Sequence, residues 1–350
     1  MNKVSSSRWQ QLYSKFFVLI VLGFLLLPML PSLQAGFAGF DENFFGKSRL
    51  ISTFNRLRYS MGDKVFSQVL VGKEGWLEFS AEGNLDDYQN ASIVPEKLES
   101  IHQKLDALHE ELTARGITLV VVVAPNKATI YSNKLSEKIE KISEQSRLDI
   151  LLELTKQTHS SYIIDVRPAL LEASKNEQLY YKTDTHWNAL GVYVAYREIM
   201  NSISKTHPEL EPFQLDQYEW KKSQPIIMDL PHLMGVDFIR EHWQQAQPKL
   251  ETSYLQRFSP EADIAISWGY SGQEKTLVMF HDSFGNMLRN FFQPQFKTAV
   301  YIPNRHPDTS KTSWIHNIHP DIVILEIVER DMAYLDVLLT KLLKSLPQQN

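Results

Sequence analysis

Ile117–Ala124 reads ITLVVVVA, a continuous β-branched run without a charged side chain. Such a run predicts a strand buried on both faces, as strands of a parallel sheet are. Further strand-like runs lie downstream: YIIDV at Tyr162–Val166, KTLVMF at Lys275–Phe280, TAVYI at Thr298–Ile302 and DIVILEI at Asp321–Ile327. Between them lie stretches with helical spacing, at Leu148–Gln157, Asn188–Ser204, Ser283–Phe292 and Asp331–Leu346. Strands alternating with helices predict an α/β domain, a doubly wound parallel sheet flanked by helices.

Ahead of this series, apolar residues recur at helical spacing from Pro95 to Arg115 (Leu98, Ile101, Leu105, Leu108, Leu112), and Gly116 is placed as the stop. VGKEGWLEF at Val71–Phe79 reads as a hairpin, with Gly75 permitting the tight turn. Lys205–Ser271 breaks the rhythm. It carries Pro, Trp and Tyr but few strand or helix signals of any length, and a segment of that kind is a lid or binding insertion over a site, or an insertion without a role.

Phe16–Leu30 (FFVLIVLGFLLLPML) is apolar throughout, preceded by Lys3, Arg8 and Lys15 and followed by Asp41 and Glu42. This charge pattern keeps the leader in the cytoplasm and exports the remainder of the chain. The run is short for a span, since a crossing helix wants ~20 apolar residues, and extension through Leu33 helps. A cleaved signal peptide is the competing reading; Leu33 sits where cleavage after Ala35 would prefer a small residue, which favours a retained signal-anchor. The expected organisation is leader and anchor over 1–35, juxtamembrane connector over 36–70, and catalytic domain over 71–350.

Of the 350 residues, 36 are basic and 41 acidic, a net charge of −5, which gives no reason to expect a nucleic-acid partner. The chain has no cysteine, which excludes disulfides, thiolate metal sites, Cys nucleophiles and lipid attachment through Cys.

Ligands of a parallel α/β sheet sit at the carboxyl ends of its strands. Two loops are expected there. His281-Asp282-Ser283-Phe284-Gly285 lies between the KTLVMF strand and a helix, so Ser283 is either an exposed nucleophile beside oxyanion-stabilising N–H groups or a helix cap. Asp184-Thr185-His186 opens the Asn188 helix, and an Asp two residues before a His can orient the imidazole as a general base. The pair is also half of a conceivable metal site, although His316 and His319 sit poorly to complete it, and no metal or other cofactor is expected. Taken together the loops supply nucleophile, base and orienter.

These loops, together with GKEGWL (72–77), APNKATIY (124–131), YYKTDTHWN (180–188), DLPHLMG (229–235) and EIVER (326–330), resemble the SGNH-hydrolase-like domains of the alginate O-acetyltransferase proteins AlgJ and AlgX. The motifs keep the family's order across about Val71–Arg330, and Asp-x-His precedes the Ser, as in that family. The resemblance implies Ser283 as nucleophile, His186 as base and Asp184 as its orienter. It also implies acetyl transfer to an exported polysaccharide, alginate-like or another, in the periplasm at the bacterial inner membrane. A membrane-bound O-acyltransferase would be the acetyl source, and other export proteins would be partners. An acetylesterase with the same triad and a catalytically idle carbohydrate-binding subunit are the competing functions. With no carbohydrate-binding module after the catalytic domain, the chain looks closer to the anchored AlgJ type.

Further candidates are Asn126, whose amide could complete an oxyanion hole, and its neighbour Lys127, a turn lysine otherwise exposed to solvent. Tyr131 and Tyr181 would line a sugar groove or pack in the core, and Arg305 would meet an acidic sugar or stay on the surface. Asp282 beside the nucleophile is expected to be structural.

Overall fold

The computed structural model describes residues 4–26, 47–91, 93–249, 253–259, 264–269, 273–305 and 309–346. In chain order its strands are β1 (Val69–Val71), β2 (Leu77–Phe79), β3 (Thr118–Ala124) and β4 (Ile163–Ile164). Then come β5 (Tyr218–Ile226), β6 (Glu241–Pro248), β7 (Ser253–Ser259) and β8 (Ile264–Gly269). The last are β9 (Gln273–His281), β10 (Phe296–Pro303) and β11 (Ile322–Val328). The central sheet has the order β4-β3-β11-β9-β10-β8-β7.

All five runs predicted as strands are strands, and they pair in parallel. The expectation of a wholly parallel sheet is corrected at one edge. There β8 pairs antiparallel with β10, and β7 antiparallel with β8, so the sheet is mixed. Both added strands come from the 205–271 segment expected to hold little regular structure. That segment also supplies β5 and β6, a separate antiparallel pair whose register shifts between Lys222 and Pro225. Proline lacks the N–H that a ladder needs, so the break falls where the chain demands one.

Alternation along the central strands divides the core into two layers. Val120, Val122 and Ala124 of β3 face one cluster, shared with the Ala189–Ile203 and Gly285–Phe292 helices. Leu119, Val121 and Val123 face the other, against the Pro95–Thr113, Arg147–Gln157 and Leu335–Ser345 helices. Pro95 opens the first of these helices, where its missing N–H costs nothing, and Gly116 lies just past its end at φ +74°. Leu98, Ile101, Leu105, Leu108 and Leu112 are buried, as their spacing predicts, and each stabilises the layer by about 1.5–3 kcal/mol. β1 and β2 form the expected hairpin, with Gly75 at φ +79°.

The chain divides into two units, Met1–Asp63 and Lys64–Asn350. The second begins ahead of Val71, because Val69–Val71 pairs with β2. The first holds helices Val4–Leu26 and Lys47–Ser60, and Arg58 Nε donates to Asp63 at 2.7 Å beyond the second. The Val4–Leu26 helix carries the start of the apolar run at 16–30; its continuation past Leu26, with 36–46 of the expected connector, lies outside the described residues. Among the described residues no helix is long and apolar enough to cross a membrane.

Candidate active site

Ser283 lies between β9 and the Gly285–Phe292 helix, at the carboxyl edge of the parallel strands. Asp282 fixes this turn: its buried carboxylate accepts from Phe284 N (2.8 Å) and Val328 N (2.6 Å), stapling the loop to the end of β11. It is thus structural, as expected. Beneath it, Glu326 of β11 accepts from Asp282 N at 3.0 Å. Burial, then the Asp282 charge, pushes the Glu326 carboxyl well above the usual carboxylate range. Gly285 is required by closeness: an added Cβ would lie 2.5 Å from Glu326 Oε2 and 2.5 Å from His281 Cβ. Gly285→Ala is therefore expected to cost about 1–3 kcal/mol in thermal unfolding, the range of core overpacking. A loss below ~0.5 kcal/mol would show that the loop relaxes freely.

The second loop enters from the Ala189–Ile203 helix. Asn188 caps that helix by accepting from Leu190 N and Gly191 N, both at 3.0 Å. Trp187 is buried and donates from Nε1 to Phe284 O at 3.1 Å, keying this loop to the serine loop. His186 then lies against the Phe284 ring, 4.8 Å between centroids. Its Nε2 is 2.9 Å from Ser283 Oγ, and its Nδ1 is 2.7 Å from Asp184 Oδ1. With the proton on Nδ1, the tautomer this network favours, the ring donates to Asp184 and accepts from the Ser283 hydroxyl. The structure brings together the three residues expected to act together.

Asp184 is buried. Burial pushes its carboxyl up, but the His186 hydrogen bond and charge outweigh this and hold it below the ordinary value. Asp229, from the DLPHLMG motif, takes the opposite course, raised by burial and then by Asp184. It accepts from Thr185 N at 3.0 Å and from Thr185 Oγ1, pinning the residue between Asp184 and His186. Glu241 of β6 clamps the loop from the other side, accepting from Thr183 N at 2.9 Å and Lys182 N at 3.1 Å. Neither Asp229 nor Glu241 stands out as a site residue in the sequence; the place of Asp229 within the DLPHLMG motif is the one signal that points to it.

Asp184, His186 and Asp229 offer ligand atoms within 4.8 Å of one another, so a cation is sterically conceivable. Each is already engaged: His186 by Ser283 and Asp184, Asp229 by Thr185. A metal would have to displace these hydrogen bonds, so the donor set fits a triad better than a coordination sphere.

The remaining candidates do not line the cavity that holds Ser283 and His186. Asn126 is fully buried, with Nδ2 donating to Asp87 at 2.7 Å and its backbone N–H to Glu329 at 3.0 Å, so its amide is not an oxyanion donor. Lys127 is buried rather than solvated, donating to Asp184 O at 2.7 Å. Tyr131 packs against Trp76 at 4.4 Å, and its hydroxyl accepts from Leu179 N. Tyr181 stacks behind Trp243 at 5.1 Å and 16°. Neither tyrosine lines a groove with the triad. Arg305 is exposed and borders a different cavity of about 420 Å³, with Asp282 and Asp331. The cavity that does hold Ser283 and His186 measures about 370 Å³, walled by Trp243, Gln244 and Gln245 of β6 and by Asn286 and Asn290. The 205–271 segment thus contributes a wall of the cleft.

The family model described as "SGNH hydrolase-like domain, acetyltransferase AlgX" matches residues 69–267. A probable alginate O-acetylase AlgJ from Pseudomonas fluorescens is 23% identical over 312 residues, covering 83% of this chain and 75% of that protein. Among solved structures, Bacillus cereus PatB1 with a sulfonyl adduct superposes with a TM-score of 0.55 at 16% identity, over 75% of this chain and 96% of that one. The O-acetyltransferase domain of Pseudomonas putida AlgJ gives 0.50 at 17% identity, over 77% and 92%.

Proposed function

Because the chain belongs to the family of the SGNH hydrolase-like acetyltransferase AlgX, and is accordingly an acyltransferase, we propose that it moves acetyl groups through an acetyl-Ser283 intermediate onto hydroxyls of an exported polysaccharide. The observation that carries this reading is the hydrogen-bonded chain Ser283–His186–Asp184, at 2.9 and 2.7 Å. His186 Nε2 takes the Ser283 proton as Oγ attacks the acetyl carbonyl carbon. The tetrahedral oxyanion is stabilised by the Ser283 N–H, which no other described group occupies, and the imidazolium returns the proton to the departing donor group. A sugar hydroxyl then gives its proton to His186, attacks the acetyl carbon, and leaves Ser283 free and protonated. Asp184 stays ionised throughout and stabilises the imidazolium.

The site of action we propose is the extracytoplasmic side of the bacterial inner membrane, with an N-terminal signal-anchor and the periplasm around the catalytic unit. Lys3, Arg8 and Lys15 ahead of the apolar run support this orientation. A membrane-bound O-acyltransferase would deliver the acetyl group, and other polysaccharide export proteins would be its partners.

A transferase must protect its acetyl ester from water until the acceptor arrives. The full-length chain incubated with a chromogenic acetyl ester is therefore expected to hydrolyse it slowly and to accumulate an acetyl-enzyme, seen by mass spectrometry as an acetyl group on Ser283. An accepting oligosaccharide should speed discharge and carry the acetyl group away. Rapid hydrolysis without accumulation, undiverted by any sugar, would make the protein an esterase.

A further inference from the structure

Resting on the transferase reading, we infer that the groove next to the Ser283 cleft is a remote subsite for the acceptor, holding sugar units of the polysaccharide beyond the one that is acetylated. The groove has a volume of about 560 Å³, and Gln244 of β6 borders both it and the cleft, so the two cavities adjoin along that strand. Strand alternation on the β5–β6 ribbon builds its wall. Trp220 pairs with Ala246, and Lys222 with Gln244. Cross-strand partners share a face, as do residues two apart on one strand, so the Trp220 indole, the Lys222 ammonium and the Gln244 amide stand side by side. All three border the groove, with Glu177.

Trp220 is 37% exposed although its ring is held in place. Its Nε1 donates to Leu215 O at 3.3 Å, and the ring packs at 84° to Tyr193 of the Ala189–Ile203 helix, 6.3 Å between centroids. A fixed aromatic ring left partly uncovered offers contact area without the entropy cost of ordering a loose side chain. On the cleft side Trp243 is held likewise, stacked on Tyr181 and bordering the cavity of Ser283. A sugar ring presents a face of C–H groups and a rim of hydroxyls, each hydroxyl both donor and acceptor. The indoles match the face, and the Lys222 ammonium, the Gln244 amide and the Glu177 carboxylate match the rim. A chain seated in both cavities holds its reacting hydroxyl at Ser283 at a far higher local concentration than a free sugar reaches.

The test uses β-1,4-linked oligomannuronates, from the disaccharide to the octasaccharide, on the full-length chain. Calorimetry gives the Kd of each, and the same oligomers are timed as they discharge an acetyl-enzyme formed beforehand with a small acetyl ester. Kd and acceptor KM are expected to fall about tenfold from the disaccharide to the octasaccharide. Trp220→Ala should remove most of that gain, raising the octasaccharide KM about tenfold and the disaccharide KM much less. Lys222→Ala, at an exposed position, should give a smaller loss of the same kind. Oligomers that do not bind, an affinity that does not rise with length, or a gain that survives both substitutions would each overturn the subsite. Length-dependent binding to a protein that forms no acetyl-enzyme, or whose acetyl-enzyme is discharged by water alone, would instead overturn the transferase reading and leave the groove a saccharide site.

Discussion

Ser283→Ala is expected to reduce acetyl-ester turnover by on the order of 10⁵–10⁶-fold while leaving the unfolding midpoint almost unchanged. The hydroxyl is the only group removed, and it borders the open cleft rather than the core, so no cavity is created. His186→Ala should be comparably severe, because without it nothing takes the Ser283 proton: Asp184 contacts the far nitrogen of the ring, not the serine. Asp184→Ala should cost less, on the order of 10⁴-fold, as an orienting residue does. Its effect on stability should be larger, since Asp184 is buried and accepts from His186 N at 3.0 Å as well as from the ring. Turnover of a chromogenic acetyl ester, with thermal unfolding in parallel, checks all three. A folded Ser283→Ala protein with full activity would remove Ser283 as the nucleophile.

The sequence exposes the triad but not the cleft around it, and the reason is where each kind of information sits. Ser283 and the Asp184–His186 pair occupy loops at the ends of strongly patterned elements, so their neighbourhood is legible once the elements are read. Gln244, Gln245, Asn286 and Asn290 look like ordinary surface amides, and only the packing of β6 against the helix after Ser283 makes them walls of one cavity. The same gap misdirected Asn126. Its position after β3 places the backbone near the site, yet the side chain turns to Asp87, itself held by Arg147. Position along a strand does not give the direction of a side chain.

The fold divides in a similar way. β3, β9, β10 and β11 lie inside the sheet with both faces covered, so each carries a predominantly apolar run. β5 reads YEWKKSQPI and is exposed along nearly its whole length, so neither hydrophobicity nor alternation marks it. IAISWG of β8 is well buried, but it is short and pairs antiparallel with β10 and β7 at the edge of the sheet, so it becomes a strand only through those partners. Strand identity there is a tertiary property.

Lys127→Met is expected to destabilise the protein by about 3–5 kcal/mol and to reduce turnover as well, although Lys127 touches no substrate. The ammonium group is 2.7 Å from Asp184 O and reaches Tyr181 O at 3.4 Å, so it ties the backbone of the triad loop to the end of β3. Burial pulls its pKa below the ordinary lysine value, while Glu78, Asp229, Asp184 and Glu241 favour the charged form. Each of those carboxylates has lost some of its hydration, and the lysine is the cation they share. Methionine keeps the length and apolar volume of the side chain but leaves the carboxylates uncompensated and the Asp184 carbonyl without its donor. The loop should relax by a fraction of an ångström, enough to lengthen the His186–Ser283 contact and cost roughly 10–100-fold in turnover. Denaturant unfolding and acetyl-ester kinetics on the same preparation separate the two effects. A Lys127→Met protein within ~1 kcal/mol of the parent and fully active would show that the four carboxylates are neutralised by protonation instead, and that the triad loop holds its shape without the lysine.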